Sequence, residues 1–355
     1  MERPVLVIGS GQAGLAAGYY LKKAAIPFVI VDENQRIGDT WRRRYDSLTL
    51  FTPRQFSALP GLPLPGNREL YPDRDEFADH LETYGTRFRL PVQLGRRVVR
   101  LSEAQANGFE ALLNDRTKIN ASEVIIATGA FQLPLVPALA LRFGGEVLQL
   151  TTETYSNPRQ LPDGTVLVVG DGATGRDIAA EARKAQPTIL ATSGPRKLFP
   201  ERLLGKSIWW WLDLAGVLAA SADSWIGRKL KQMDAFPDRN RNIESLLRQG
   251  IRIAPRLADA IASEARFADG TTAKIRTVIW SIGYRDDTAW LDIPKAKATD
   301  GALLHRSGIS PVTGLYYVGR PWQRNRASAL VMGAGPDAEV IVQRLLDERS
   351  KPLLP

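Results

Sequence analysis

The stretch Val5-Leu6-Val7-Ile8-Gly9-Ser10-Gly11-Gln12-Ala13-Gly14 decides the fold, because an apolar β-branched run leads directly into a G-x-G-x-x-G turn. The same pattern recurs at Val166-Leu167-Val168-Val169-Gly170-Asp171-Gly172-Ala173-Thr174-Gly175. Each copy is typical of a strand, a tight turn and a helix N-terminus whose exposed N–H groups bind a pyrophosphate. One such motif is a weak signal, but two in this context predict two dinucleotide-binding units.

The segments that follow the two motifs also correspond to each other. After the first motif, the pattern predicts a helix over 15–23 and strands over 28–31 and 124–129. After the second, it predicts a helix over 177–184 and strands over 188–191 and 277–283. A last strand over 315–318 and a last helix over 337–346 are predicted to return to the first unit.

These repeats predict an α/β protein with two Rossmann-like dinucleotide-binding domains, the second inserted into the first. We expect residues 1–150 to form the first part of the first domain and 285–355 its C-terminal return. Residues 160–284 are expected to form the second domain, including a tryptophan-rich helical insertion. The chain of 355 residues, 44% of them hydrophobic, is long enough for two cores.

The composition excludes several kinds of redox and metal chemistry. The chain has no cysteine, so disulfides, thiolate metal sites and a redox-active dithiol are excluded. The two histidines, His80 and His305, are too few to favour a metal site or histidine-centred catalysis. Redox chemistry therefore requires a bound cofactor. The net charge is +9, but the arginines are spread along the chain, so no nucleic-acid binding is predicted.

The sequence predicts a cytoplasmic protein without a signal peptide or transmembrane segment. The first strand begins at Pro4-Val5, which leaves no room for a signal peptide. The most apolar stretch, 208–220, is interrupted by Asp213 and is shorter than the roughly 20 residues of a membrane span. We interpret it as a buried or substrate-lining helix, with peripheral membrane contact as the alternative.

The first nucleotide site has an acid where a ribose diol is expected. Asp32 follows the strand 28–31, where a carboxylate accepts hydrogen bonds from an unphosphorylated ribose, as in FAD or NAD. The alternative is a solvated carboxylate at a strand end.

The segment after Asp32 carries a family resemblance. It contains Arg36-Ile37-Gly38-Asp39-Thr40-Trp41, Tyr45-Asp46-Ser47-Leu48-Thr49-Leu50-Phe51-Thr52-Pro53-Arg54, the Pro/Gly-rich stretch 59–66 and Tyr71-Pro72. With both glycine motifs, almost the whole chain resembles the class B flavin-dependent monooxygenases, especially compact bacterial flavoproteins and plant YUCCA-type enzymes. The resemblance implies FAD in the first site and NADPH in the second.

For the FAD site, the resemblance implies contacts from the pyrophosphate turn, the ribose acid, the segments lining the flavin and the glycine turns near it. These residues are Gly9, Gly11, Gln12, Ala13, Gly14, Asp32, Glu33, Gly38, Thr40, Trp41, Leu48, Thr52, Val98, Thr128, Gly129, Gly319 and Leu330. In Gly333-Ala334-Gly335-Pro336-Asp337, proline is predicted at the first helical position, so that the helix N-terminus is aimed at the flavin. An ordinary capped helix is the alternative.

The second site lacks an acid at the position equivalent to Asp32. Ser193 and the basic pair Arg196-Lys197 follow its strand, which is the chemistry that a 2′-phosphate requires, so NADPH is preferred over NADH. A solvated loop is the alternative for Arg196-Lys197. Asp171 is unusual beside a pyrophosphate, and its side chain is expected to point away. The predicted NADP contacts are Gly170, Gly172, Ala173, Thr174, Gly175, Ser193, Arg196 and Gly283.

The resemblance implies a monooxygenase. Hydride from NADPH reduces the flavin, which reacts with O₂ to a C4a-peroxyflavin and oxygenates a small nitrogen-, sulfur- or carbonyl-containing substrate. The alternatives are an NADPH-dependent reductase or oxidase without oxygenation and a non-catalytic redox sensor. A homodimer is possible.

Thr52 is the candidate catalytic residue, because it lies near the position where many members of the resembled family have an active-site asparagine beside the flavin. The alternative is that Thr52 is a turn residue before Pro53. Arg54 is interpreted as solvated, with a cation near the pocket as the alternative. Trp209–Trp211 and Trp290 are interpreted as buried packing, with an aromatic substrate channel as the alternative.

One departure from the family pattern concerns the linker motif F-x-G-x-x-x-H-x-x-x-Y. Phe143 and Tyr155 are present, but the histidine is not. Gln149 occupies the histidine position counted from Phe143, and Thr151 occupies the histidine position counted from Tyr155. This departure puts the coupling of NADPH oxidation to oxygenation in doubt, but not the binding of either cofactor.

Overall fold

The computed structural model describes residues 3–104, 107–233 and 235–350. Two five-stranded sheets, each parallel throughout, form its framework. In spatial order, the first sheet consists of Leu315–Tyr317, Val124–Ile126, Val5–Ile8, Phe28–Val31 and Val92–Gln93. The second consists of Arg252–Ala254, Thr188–Ala191, Val166–Val169, Thr277–Trp280 and Leu148–Thr151. In both sheets, the strand before the glycine motif is central and buried, as its continuous β-branched sequence predicts.

Helices cover the sheets, and small antiparallel sheets extend both units. Helices Gln12–Lys23 and Val331–Arg349 pack against each other on the first sheet, and Ala173–Ala182 packs on the second. The other α-helices are Asp39–Arg42, Arg74–Arg87, Ile208–Leu214, Trp225–Met233 and Ile243–Arg248. The three-stranded antiparallel sheets are Val98–Glu103, Phe109–Leu113 and Lys118–Ala121 in the first unit, and Leu257–Ile261, Glu264–Phe267 and Thr272–Lys274 in the second.

The predicted repeat is present in detail. Strands 28–31 and 188–191 have the predicted bounds, and the two antiparallel sheets occupy equivalent positions. Their polar turns match as well, because Asp115 accepts from the N–H and hydroxyl of Thr117 as Asp269 does from Thr271. Both helices after the glycine motifs begin earlier than predicted, at residues 12 and 173, since the third glycine of each motif lies inside the helix.

The predicted domain boundary at residue 150 is wrong. Leu148–Thr151 pairs in parallel with Thr277–Trp280 and therefore belongs to the second sheet. Phe143, which precedes it, is buried against Trp280 in the core of the second unit. The chain crosses between the units near Leu133–Pro134, which pairs antiparallel with the returning segment Tyr284–Arg285. Long-range pairing decides this boundary, and no local signal at residue 150 revealed it.

The C-terminal return is confirmed, but its helix begins at Val331, so Pro336 is not at the first helical position. Asn325 caps a preceding 3₁₀ turn, which starts the helical path before the glycines. These glycines serve close packing instead: a Cβ at Gly335 would lie 2.6 Å from Pro60 Cγ. The Pro336 carbonyl accepts a hydrogen bond from Arg324 at 2.8 Å.

The tryptophan-rich segment is a short helix that packs on the first unit. Ser207 caps Ile208–Leu214 by accepting from the N–H of Trp210. Trp209 is buried, stacks on Phe51 and donates to the Phe51 carbonyl at 2.6 Å. The buried-packing interpretation is therefore correct for Trp209. Among the described residues, every helix is too short or too polar to span a bilayer.

Candidate functional site

In the first glycine motif, two glycines serve the fold and one faces open space. Gly9 has φ +105°, and a Cβ there would lie 2.6 Å from the Ala127 carbonyl oxygen. A Cβ at Gly14 would overlap the Gly9 carbonyl oxygen. A Cβ at Gly11, in contrast, would meet no described atom within 4 Å. Gly11 is also the N-cap of the helix and has no side chain to occupy its N–H groups, so the turn fits an anion at this point.

The second motif has the same geometry. Gly170 has φ +105°, and a Cβ at this residue would overlap the Ser281 carbonyl oxygen. A Cβ at Gly175 would overlap the Gly170 carbonyl oxygen, whereas one at Gly172 would meet no described atom within 4 Å. Gly172 is the N-cap of Ala173–Ala182. The two turns therefore present equivalent open cradles, which fit two pyrophosphates.

Asp32 lies beside the first turn and is held by four hydrogen bonds. It accepts from the Ser10 N–H at 2.6 Å and the Ser10 hydroxyl at 2.9 Å. It also accepts from the N–H and side-chain amide of Asn34 at 2.8 and 2.7 Å. The side chain is thus an oriented acceptor at the carboxyl edge of the first sheet and not a solvated one, and it fits a ribose diol.

Several other predicted FAD residues lie around this turn. Trp41 donates to the Gln12 side chain at 3.2 Å and packs edge-on against Phe77. Thr40 is exposed and accepts from Asn34 at 3.3 Å. The structure therefore brings the segment after Asp32 next to the first glycine motif. Gly38 takes φ +88° close to the Ala78 backbone, Glu33 is exposed and Leu48 packs between the two units.

The remaining predicted FAD residues come from neighbouring strand ends and from the insertion interface. Thr128 and Gly129 follow the strand Val124–Ile126, and Gly319 follows Leu315–Tyr317, so all three lie at the same sheet edge as the first turn. Leu330 is buried beside the tryptophan-rich helix. Val98 begins the first antiparallel sheet and is buried against the core that contains Val31.

The Thr52 hydroxyl is committed to a local turn. Thr52 is buried, and its hydroxyl oxygen lies 2.8 Å from that of Ser57. The Ser57 hydroxyl has one proton and donates to the backbone carbonyl of Thr52 or Pro53, at 3.0 and 3.2 Å. The Thr52 proton then goes to Ser57. This arrangement favours the interpretation of Thr52 as a turn residue.

The interpretation of Arg54 as solvated is wrong. Its side chain is only 13% exposed and pairs with Glu76 at 2.6 Å. It also donates to the Pro65 carbonyl at 3.1 Å. Glu76 in turn belongs to the capping box of helix Arg74–Arg87. Arg54 therefore ties the loop 51–66 to this helix.

Residues 44–46 of the first unit reach into the second. Tyr45 is buried in the core of the second unit, and its hydroxyl lies 3.3 Å from Asp177. Burial and the neighbouring Asp177 raise the Tyr45 pKa well above its ordinary value. Asp46 accepts from Asn157 at 2.8 Å. Arg44 donates to the Tyr284 hydroxyl of the returning segment at 2.7 Å and pairs with Glu153, which follows the strand Leu148–Thr151 of the second sheet.

The residues at the histidine positions of the linker motif have structural partners. Gln149 accepts from the Trp280 indole at 3.0 Å and donates to the Ala140 carbonyl at 2.9 Å. Thr151 turns the chain by bonding to Thr154. Sequence reasoning missed the contacts of Arg44 and Tyr284; the arginine run 42–44 and the tyrosine after Gly283 were the available signals.

The predicted 2′-phosphate region lies beside the second turn. Ser193 and Gly283 are exposed, and Arg196 is partly buried. The Arg196 Nε lies 3.2 Å from the Asp171 carboxylate, and Arg176 contacts its other oxygen at 3.3 Å. Asp171 and Arg176 are almost completely buried. The Asp171 side chain is thus directed into the protein and compensated by two guanidinium groups. Trp290 lies elsewhere, packed against the first unit's antiparallel sheet.

Asp337, near the start of the last helix, provides a prediction on pH dependence. Burial raises its pKa from 3.8 to about 6, although Ser328 and Arg324 oppose the shift. The folded state therefore binds this proton more tightly than the unfolded state. The free energy of unfolding that this tighter proton binding contributes is fully present below pH 3.8. It decreases by at most ~3 kcal/mol as the pH rises to about 6.

We expect Asp337→Asn to remove this pH dependence, because an amide resembles the protonated acid. Urea unfolding of both proteins between pH 4 and pH 8 measures the difference. The wild type should lose stability relative to the variant up to about pH 6, with a constant difference above it. Parallel pH profiles would show that Asp337 does not titrate in this range.

A family model described as pyridine nucleotide-disulphide oxidoreductase matches residues 6–196 of this chain. An oxidoreductase named CzcO-like from Geobacillus kaustophilus is 42% identical over 97% of this chain and 98% of its own length. The indole-3-pyruvate monooxygenase YUCCA1 of Oryza sativa subsp. japonica is 26% identical, covering 88% of this chain and 86% of the rice protein.

Among solved structures, a flavin-containing monooxygenase from Stenotrophomonas maltophilia is similar over nearly the whole chain. The TM-score is 0.81 at 26% identity, with 99% of this chain and 100% of the other covered. The similarity therefore includes both parallel sheets and the crossing segments between them.

Proposed function

This chain belongs to the pyridine nucleotide-disulphide oxidoreductase family and, within it, to the class B flavin monooxygenases. We therefore propose that it is an NADPH-dependent flavin monooxygenase. It is an oxidoreductase with FAD and NADPH as cofactors. It adds one oxygen atom of O₂ to a small nitrogen-, sulfur- or carbonyl-containing substrate. The observation that carries the proposal is the pair of equivalent glycine cradles, each open at its second glycine.

The residues of this chain bind and orient the two cofactors. The cradles at Gly11 and Gly172 and the helix N-termini behind them hold the pyrophosphates. Asp32 accepts from a ribose diol, and Arg196 pairs with a 2′-phosphate. FAD, when bound, supplies hydride acceptance and reaction with O₂. Trp209 stacks on Phe51 and donates to its carbonyl, which fixes the insertion against the first unit.

The interface between the units supports transfer of hydride from one nucleotide to the other. Tyr45 anchors the first unit in the core of the second, and Arg44 binds Tyr284 of the returning segment and Glu153 of the second unit. These contacts hold the two units against each other, which a transfer of hydride between two bound nucleotides would require. The chain has no cysteine, so a dithiol of its own does not compete for the electrons.

A reductase or oxidase without oxygenation is the second candidate. The observation that favours it is the linker, where Gln149 and Thr151 make structural hydrogen bonds at the positions of the family histidine. In that case NADPH oxidation would produce hydrogen peroxide in place of an oxygenated product.

The test measures NADPH oxidation, O₂ consumption, peroxide and product with the purified, flavin-loaded protein. The substrate panel contains indole-3-pyruvate, after the relative YUCCA1, with a dialkyl sulfide, a tertiary amine and a cyclic ketone. A monooxygenase forms one oxygenated product per NADPH with at least one of them. Stoichiometric peroxide with every compound supports the reductase or oxidase, and no NADPH oxidation contradicts both.

We expect Arg196→Ala to raise the KM for NADPH about 10- to 100-fold and to leave the KM for NADH nearly unchanged. The physical reason is the loss of a charge-assisted hydrogen bond of about 1.5–3 kcal/mol to the 2′-phosphate. Steady-state kinetics with both dinucleotides measures the effect. Equal changes for the two would remove Arg196 as the residue that recognises the phosphate.

A further inference from the structure

The two nucleotide turns share a contact in which the direction of the hydrogen bond is reversed. In the first unit, the residue after the first glycine is Ser10, and it donates two hydrogen bonds to Asp32. In the second unit the equivalent residue is Asp171, and it accepts from Arg196. In both units, the second residue of the motif thus holds the side chain proposed to recognise the ribose diol or its 2′-phosphate.

The register of the two sheets explains why these side chains meet. Ile8 pairs with Val31 in the first sheet, and Val169 pairs with Ala191 in the second. The glycine turn and the loop after the next strand therefore leave the sheet side by side in each unit. A hydroxyl and an N–H suit the carboxylate of Asp32, whereas a carboxylate suits the guanidinium of Arg196.

Asp171 is well suited to hold a second side chain, because it is itself fixed. Only 1% of it is exposed, and its other carboxylate oxygen contacts Arg176, which is 2% exposed. Arg176 also donates to the Asp171 carbonyl at 2.9 Å and to the Arg241 carbonyl at 2.7 Å.

We propose that Asp171 is a positioning residue for Arg196 and thereby sets the preference of the second site for a 2′-phosphorylated dinucleotide. The contact uses the Arg196 Nε, which orients the planar guanidinium for a phosphate. The inference rests on the proposed function, since it requires a dinucleotide in the second site. It adds a role for the acid of the glycine motif.

Calorimetric binding of NADP⁺ and NAD⁺ to the flavin-loaded protein tests the inference, with the ratio of the two affinities as the readout. A purely structural defect lowers both affinities together and leaves the ratio unchanged. We expect Asp171→Asn to lower the NADP⁺/NAD⁺ preference about tenfold. Arg196→Ala should lower it further, and Asp171→Asn should have no additional effect on the ratio in the Arg196→Ala background.

Arg196→Lys provides a test that leaves the buried pair with Arg176 intact. Lysine keeps the positive charge but lacks the Nε–H that Asp171 accepts. The inference requires a roughly tenfold loss of preference in this variant as well. Arg183→Gln is the matched control, because Arg183 follows the helix that contains Arg176 and bonds to the Gly250 carbonyl. The NADP⁺/NAD⁺ affinity ratio of this variant should equal that of the wild type.

The outcomes separate the inference from the proposed function. If Arg196→Ala abolishes the preference while Asp171→Asn and Arg196→Lys retain it, the positioning role is overturned and the NADPH site stands. If Asp171→Asn does not fold, retention of the preference in Arg196→Lys still overturns the positioning role. If the wild type binds neither dinucleotide, the proposed function fails and the inference fails with it.

Discussion

Gly11→Val should yield a folded protein that carries no flavin. A Cβ at Gly11 meets no described atom within 4 Å, and the residue has φ −71°, so the native backbone accommodates a side chain. The branched side chain would occupy the space where the pyrophosphate is expected to approach the helix N-terminus. Visible absorbance and the flavin content of the purified protein measure the effect, with circular dichroism as the measure of folding.

Gly172→Val is the matched control, because Gly172 has the equivalent position in the second turn and is equally open. This variant should stay yellow, since the first cradle is unchanged, but NADPH should no longer reduce its flavin. Dithionite should still reduce it. A fully loaded, yellow Gly11→Val protein would contradict the assignment of the first site, and normal reduction of Gly172→Val by NADPH would contradict that of the second.

Arg176→Ala should destabilise the protein by about 3–5 kcal/mol, because it leaves a buried carboxylate without its buried partner. Arg176 is 2% exposed and contacts Asp171, which is 1% exposed, at 3.3 Å. It also bonds to the Arg241 carbonyl and lies over the Phe236 ring, so its loss detaches the end of the insertion from the second turn. Urea unfolding at pH 7 measures the change in the free energy of unfolding.

Arg183→Ala is the control for this substitution, since Arg183 is the C-cap of the helix that contains Arg176 and contributes a hydrogen bond at the surface. We expect it to cost no more than about 1 kcal/mol. A comparable loss in both variants would mean that the helix, and not the buried ion pair, determines the effect. Hydrogen exchange near Phe236 should increase in Arg176→Ala alone.

Features that depend on neighbouring residues were predicted accurately. The strands 28–31 and 188–191 follow from β-branched runs after a helix, and the glycine motifs specify their own turns. The return of the last strand to the first sheet follows from the repeat, since the second unit already accounts for its own closing strand. The position of Asp32 at the edge of the first sheet was predicted because the residue directly follows the strand 28–31.

Features that depend on distant residues were missed or misread. Arg54 was read as solvated because its partner, Glu76, lies on a helix that forms later in the chain. The start of the last helix was misplaced because the helix begins at Val331, directly after the 3₁₀ turn that Asn325 caps, and not at Pro336. The boundary near residue 150 was misplaced because pairing with Thr277–Trp280 assigns Leu148–Thr151 to the second sheet.

The amino-acid sequence by itself determined the two nucleotide turns, their strands and the order of the units, because periodicity and glycine spacing act over a few residues. Only the tertiary structure decided how Asp171 and Arg196 are paired, how Tyr45 joins the units and which glycine of each motif stays open. These features depend on which chain segments lie side by side once the sheets form. Burial then determines which of the charges must be compensated inside the protein.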